Sequence, residues 1–173
     1  MTNKMTNGDQ TNQAKKGKPS LHRREEISAA GDYNIVIGID EAGRGPLCGP
    51  VVAAACIVPH IDGLVIDGII DSKKITDEKE REITYENIIS DKRVMWCACI
   101  VSNEEIDEIN ILQASLAAMK RATEGLIKKY NLIEHSLYIA LIDGNKIPEN
   151  MPVASKFIIK VRNRSTFLLI SFC

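Results

Sequence analysis

Two adjacent acids, Asp40 and Glu41, close a nearly unbroken apolar run, Asn34-Ile35-Val36-Ile37-Gly38-Ile39. A carboxylate at the rim of a core is costly unless a cation compensates it, and neighbouring strand residues point to opposite sides, so the pair is not a like-charge cluster on one face. A bound cation could engage Asp40, with Glu41 reaching a second position or contributing its backbone carbonyl. A third acid lies in Leu141-Ile142-Asp143-Gly144-Asn145. Hard oxygen donors with no accompanying His or Cys favour magnesium or manganese over zinc. Paired ions of that kind, about 4 Å apart, activate water and stabilise the leaving oxygen in phosphodiester hydrolysis, so the chemistry suggested is phosphoryl transfer. Asp before Gly is also ordinary turn chemistry, and read alone Asp143-Gly144-Asn145 is better explained as a tight turn.

Cations stand close to these acids. Gly43-Arg44-Gly45-Pro46 follows at once. Its two glycines let backbone amides approach a phosphate or sugar, and Arg44 supplies a charged fork. A plain hairpin connection explains the glycines equally well. Asp71-Ser72-Lys73-Lys74 offers a turn and two cations suited to a nucleic-acid backbone, and a solvated approach to a helix accounts for it as well. His22, His60 and His135 are scattered, with no Ser or Cys nucleophile pattern around them, and receive no role.

Positioning these groups requires a framework. The run from Asn34 to Asp40 is rich in β-branched residues, as expected of a strand buried on both faces. Val51 to Val58, stopped by Pro59, reads as a second strand returning antiparallel. Thr76 is expected to cap a helix running towards Ser90, with Asp77 and Glu78 complementing the dipole in its first turn. Val94 to Val101 reads as a third strand, in which Trp96 is core and Cys97 and Cys99 share one face as small core residues. Ser102-Asn103-Glu104-Glu105 is a capping box opening a short helix, ahead of a longer one from about Leu112 to Tyr130 whose expected core stripe is Leu112, Leu116, Met119, Thr123, Leu126 and Tyr130. Leu137 to Asp143 reads as a fourth strand. A helical crossover usually brings the next strand back parallel to an earlier one. The fourth strand is therefore expected beside the first, bringing Asp40 and Asp143 together at the carboxyl edge where open α/β sheets place their sites.

The chain has 173 residues, 45% apolar and 26% charged, enough for one domain with a substantial core. A net charge of -1 gives no global signal for nucleic acid, so such a partner rests on local features. The cysteines Cys48, Cys56, Cys97, Cys99 and Cys173 form no C-x-x-C pair and no zinc-like grouping, as expected of reduced thiols. No stretch reaches the roughly 18 apolar residues of a membrane span, and the N-terminus lacks the apolar core of a secretion signal. A soluble, cytoplasmic, monomeric protein with no membrane partner is expected. Residues 1–30 hold too few large apolar side chains to offset the entropy of ordering and read as a flexible polar tail.

The run Ile37-Gly38-Ile39-Asp40-Glu41-Ala42-Gly43-Arg44-Gly45-Pro46-Leu47-Cys48-Gly49-Pro50-Val51-Val52 resembles the opening signature of type 2 ribonucleases H. Asp71-Ser72-Lys73-Lys74, Glu105-Ile106-Asp107-Glu108-Ile109-Asn110-Ile111-Leu112 and Leu141-Ile142-Asp143-Gly144-Asn145 resemble the family's later blocks, in order and at similar separations. The resemblance implies a ribonuclease H-like α/β fold, a mixed β-sheet flanked by helices, with its catalytic core over residues 31–160. It implies Mn2+- or Mg2+-dependent cleavage of RNA in RNA–DNA hybrids, leaving a 3′-hydroxyl and a 5′-phosphate. Incision 5′ to ribonucleotides embedded in duplex DNA is included. Asp40, Glu41 and Asp143 match three of the family's four metal-binding acids. Gly43, Arg44 and Gly45 match the motif that recognises the ribose 2′-hydroxyl, the group that tells RNA from DNA. Ser72, Lys73 and Lys74 are the further expected substrate contacts.

The resemblance read from the sequence ends at Lys160, after which the family carries Gly-Asp, the aspartate being its fourth ligand; here Val161 and Arg162 follow. Residues 161–173 read as a divergent segment in a chain missing the family's C-terminal helices. Weak stability and doubtful activity are the corresponding expectations, since an arginine near a cation site removes a ligand and adds repulsion. The alternative expectation is an inactive relative that only binds hybrid duplex.

Overall fold

The structure, a computed structural model, describes residues 30–46, 48–58, 77–133 and 137–158. In chain order its elements are β1 (Ile35–Ala42), β2 (Val51–Ile57), α1 (Glu78–Ser90), β3 (Met95–Val101), α2 (Asn103–Tyr130), β4 (Tyr138–Asp143) and β5 (Ala154–Ile158). The strands form one sheet in the order β3-β2-β1-β4-β5. β1 pairs antiparallel with β2, and β2 with β3, while β4 lies parallel to β1 as the crossover argument requires.

Strand alternation divides the sheet into two apolar faces. Ile37, Ile39, Ala53, Ala55, Val101, Ala140 and Ile142 face α2 and make the main core, with Cys97 and Cys99 half-buried against it on the same face, as expected. On the other face Ile139 and Leu141 pack with Val36 and Ile158, and Ala54 and Cys56 with Val58, Trp96 and Ala98. Ile88 of α1 reaches this second face beside Val58 and Trp96. Trp96 is thus half-buried packing, with the Lys129 ammonium 4.3 Å from its ring centroid.

The buried stripe of α2 is the expected one only in part: Met119, Thr123 and Leu126 are buried and Leu116 and Tyr130 pack against the core, but alanines make up the rest of the contact. Ala114, Ala118 and Ala122 are fully buried, together with Ser115, Met119, Thr123 and Leu126, whereas Leu112 and Leu116 are only half-buried. Small residues line the contact because the helix lies close on the sheet: a Cβ at Gly125 would stand 2.6 Å from Cys97 Sγ. The expected break between a short and a long helix is present inside α2 at Asn110, whose backbone leaves the helical region at φ 68, ψ 159. Its side-chain oxygen accepts from Leu112 N and Gln113 N at 3.1 and 3.2 Å, capping the second stretch. Ser102 accepts from Glu105 N as a capping box predicts, but the Glu105 carboxylate turns away to a two-bond pair with Arg121 at 2.9 and 2.6 Å.

Two further expectations are corrected. The cap of α1 is Asp77, which accepts from Glu80 N at 3.1 Å, rather than Thr76, a residue outside those described; a carboxylate at that position satisfies the free amide as well as a hydroxyl would. β5 was not anticipated. It lies parallel to β4 after a connection without a helix, whereas parallel neighbours usually require a helical crossover, and three of its five residues are exposed.

Candidate metal centre and nucleic-acid loop

β1 carries Asp40 and Glu41 to the carboxyl edge of the sheet, and β4 carries Asp143 to the same edge. The parallel register sets Ile37 against Ala140 and Ile39 against Ile142, so Asp40 and Asp143 are the next opposed positions. Neighbouring strands are about 4.8 Å apart, and alternation puts both acids on the face of Ile139 and Leu141. Asp40 is 8% exposed, and one of its oxygens accepts from Glu41 N at 2.8 Å. Glu41 alternates to the α2 face. Among the described residues no three His, Cys, Asp or Glu side chains are gathered as a ready ion site, consistent with acids distributed over two faces of one edge.

Burial pushes the Glu41 carboxyl above its ordinary range. The Arg44 hydrogen bond and charge pull it back, and the charge of Asp143 adds to the rise, which places Glu41 within electrostatic reach of the acid on β4. Arg44 Nη1 donates to Glu41 Oε1 at 3.4 Å. Among the described residues the edge is therefore an acid-rich rim with one arginine paired to Glu41.

The glycines of the loop differ in what they do. Gly43 has φ +90, and a Cβ there would run into the carbonyl oxygen of Pro50, so the close return of the chain into β2 requires glycine. Gly45 has nothing within 4 Å of an added Cβ and, like Arg44, is exposed. At Asp143-Gly144-Asn145 the turn reading and the site reading coexist: Gly144 has φ +145, and its N–H donates to Ile158 O at 3.3 Å, tying the bend to the end of β5. Ser72, Lys73 and Lys74 lie outside the described residues, as do Lys160, Val161 and Arg162. The Arg44–Glu41 pair escaped the sequence reading, although the i,i+3 spacing of opposite charges was its available signal. The dependence of Gly43 on Pro50 had no local signal.

This α/β fold is shared by solved ribonucleases H. The structure of Bst-RNase HIII in complex with Mn2+ superposes with a TM-score of 0.64 at 18% identity, over 84% of this chain and 52% of that one. The RNase HII of the PCNA:RNase HII complex from Archaeoglobus fulgidus gives 0.56 at 23% identity, over 79% and 68%. These likenesses establish a ribonuclease H-like fold. The family model described as Ribonuclease HII matches residues 37–169, and the chain belongs to that family. Relatives named Ribonuclease HII include those of Treponema denticola, 48% identical over 66% of this chain and 59% of its own length, and Francisella tularensis subsp. novicida, 44% identical over 73% and 62%. That of Xanthomonas axonopodis pv. citri is 40% identical over 74% of this chain and 48% of its own length. The chain thus spans about half to three-fifths of the curated relatives it matches.

Proposed function

We propose that this chain is a metal-dependent endonuclease that hydrolyses RNA within RNA–DNA hybrids and incises duplex DNA 5′ to embedded ribonucleotides. The observation that carries this reading is the opposition of Asp40 and Asp143 at the edge of two parallel strands, with Gly43-Arg44-Gly45 following directly, in a chain of the ribonuclease HII family. Among the described residues three carboxylates stand against one guanidinium at this rim, an arrangement that repels a phosphate unless a cation is added. The donor set is oxygen alone, which fits Mg2+ or Mn2+.

In this reading Asp40, Glu41 and Asp143 are the catalytic acids that would hold the divalent ions, and the chemistry such ions would supply there is activation of water and stabilisation of the leaving 3′-oxygen. Gly45, and Gly43 within its tight turn, present backbone amides to the ribose, where the 2′-hydroxyl distinguishes RNA from DNA. Arg44 contributes a fork for phosphate, and Ser72, Lys73 and Lys74 complete the substrate contacts on the strength of the family resemblance. No described helix is long and apolar enough to cross a membrane, and the same reading makes the protein a cytoplasmic monomer.

The test is incision of labelled duplex DNA carrying one ribonucleotide, with Mn2+ or Mg2+, by the chain and by Asp40→Asn. Incision by the first and its loss in the second is expected. A folded chain that binds hybrid duplex with salt-dependent affinity but never incises it would replace the nuclease reading with that of a non-catalytic hybrid-binding relative.

A further inference from the structure

The Arg44–Glu41 ion pair joins the two halves of the proposed site, one expected to hold a cation and the other to hold nucleic acid. Its ends are unequal. The Glu41 side chain is 11% exposed and fixed at the end of β1, whereas that of Arg44 is 47% exposed on the loop beyond it. With Gly43 held against Pro50 and Gly45 standing in open space, the guanidinium is the end that can swing. The pair is a single contact from Nη1 to Oε1, so it competes with other ligands by charge: a divalent ion on the Glu41 carboxylate weakens its hold on the guanidinium, and a phosphate competes with the carboxylate for that same cation.

We propose that Glu41 holds Arg44 back from nucleic acid until a divalent cation takes the carboxylate, so that cation binding and hybrid binding are coupled through this ion pair. The inference rests on the reading of the site as a metal-dependent nuclease of hybrids and assigns Glu41 a positioning role besides its place on the metal. The coupling is reciprocal, because whatever weakens the ion pair favours both ligands. A pair with one exposed partner is modest in strength, which sets the expected effect at about twofold to fivefold in affinity.

The experiment is a double-mutant cycle on the full chain, measuring the dissociation constant of a fluorescent RNA–DNA hybrid by anisotropy in EDTA and again in Ca2+, an oxygen-preferring ion. Glu41→Gln is expected to tighten metal-free binding by about twofold to fivefold when Arg44 is present, and by clearly less in the Arg44→Ala background. Ca2+ is expected to tighten binding by the wild-type chain and to narrow its gap from Glu41→Gln. Glu41→Ser provides a second charge-neutral variant should the glutamine form not fold. Equal tightening in both backgrounds would mean that Glu41→Gln acts only by removing a negative charge, and it would overturn the proposal, as would no tightening at all. If the folded wild-type chain binds no hybrid with or without Ca2+, the nuclease reading itself fails, and the coupling with it.

Discussion

Replacing Gly43 and Gly45 by alanine, one at a time, separates what holds the loop from what the loop is for. Alanine at position 43 must adopt φ near +90, a region that costs an L-residue about 1–3 kcal/mol. Its Cβ also meets the Pro50 carbonyl, with Val51 Cα and Pro50 C at 3.2 and 3.3 Å. These are backbone atoms at the start of β2, where Val52 pairs with Ala42, so no rotamer change relieves the contact. Overpacking of this sort adds about 1–3 kcal/mol, for a combined loss of about 2–5 kcal/mol after partial relaxation. Alanine at position 45 meets nothing within 4 Å, and its effect on stability should stay within about 1 kcal/mol of zero. Urea unfolding followed by circular dichroism gives both numbers, and the incision assay supplies the second axis. Gly43→Ala is expected to lose stability and incision together, and Gly45→Ala to lose incision alone. Unfolding midpoints that coincide for Gly43→Ala and wild type would refute the claim that the Pro50 contact dictates glycine.

Two other outcomes test the framework. Gly125→Ala should cost about 0–2 kcal/mol, because the gain of about 1 kcal/mol from alanine in a helix is outweighed by the Cys97 sulfur, which can escape only by rotating about its χ1. In a Cys97→Ala background the nearest remaining atom is at 3.8 Å and the same change should stabilise by about 1 kcal/mol; a penalty of equal size in both backgrounds, by thermal denaturation, would disprove the contact. For the metal-free protein in EDTA, the raised Glu41 carboxyl means that the folded chain holds a proton the unfolded chain has released, so stability falls as pH rises from the ordinary glutamate pKa through the raised one. Glu41→Gln removes that slope, so its stability relative to wild type should increase across this window in a series of urea titrations, and a constant difference would contradict the shift.

How far the fold could be read from residues depended on whether burial left a mark on the local pattern. β1, β2 and β4 are buried on both faces and read as apolar runs, and the crossover rule then placed β4 beside β1. β5 gave no such mark: Ser155 and Lys156 interrupt it, and Phe157 is 46% exposed. The stripe on α2 was drawn through its largest apolar residues, but a helix lying this close to a sheet presents its alanines, a preference set by the distance between layers and not by hydrophobicity. At the site, Asp40 and Glu41 stood out because acids ending an apolar strand are unusual, whereas Asp143 read alone as a turn and became a candidate through the family resemblance. The Arg44–Glu41 pair and the Gly43–Pro50 contact depend on how the loop folds back, which residue types alone do not specify.

The convergence of Asp40 and Asp143 is imposed on the acids by the core beneath them. Like charges on opposed positions of neighbouring strands oppose pairing by about 0.2–1 kcal/mol. Against this, Ile37, Ile39 and Ile142 are buried at 1% exposure or less, each contributing about 1.5–3 kcal/mol. A slip of one residue between β1 and β4 would turn Ile142 and Ala140 away from α2 and present Ile139 and Leu141 in their place, disrupting both faces at once. The apolar register therefore wins by several kcal/mol and holds the two carboxylates opposed whether or not a cation is present. Glu41 alternates to the other face and is paired with an exposed arginine that can swing, so the adjustment proposed for this edge on binding falls on that pair.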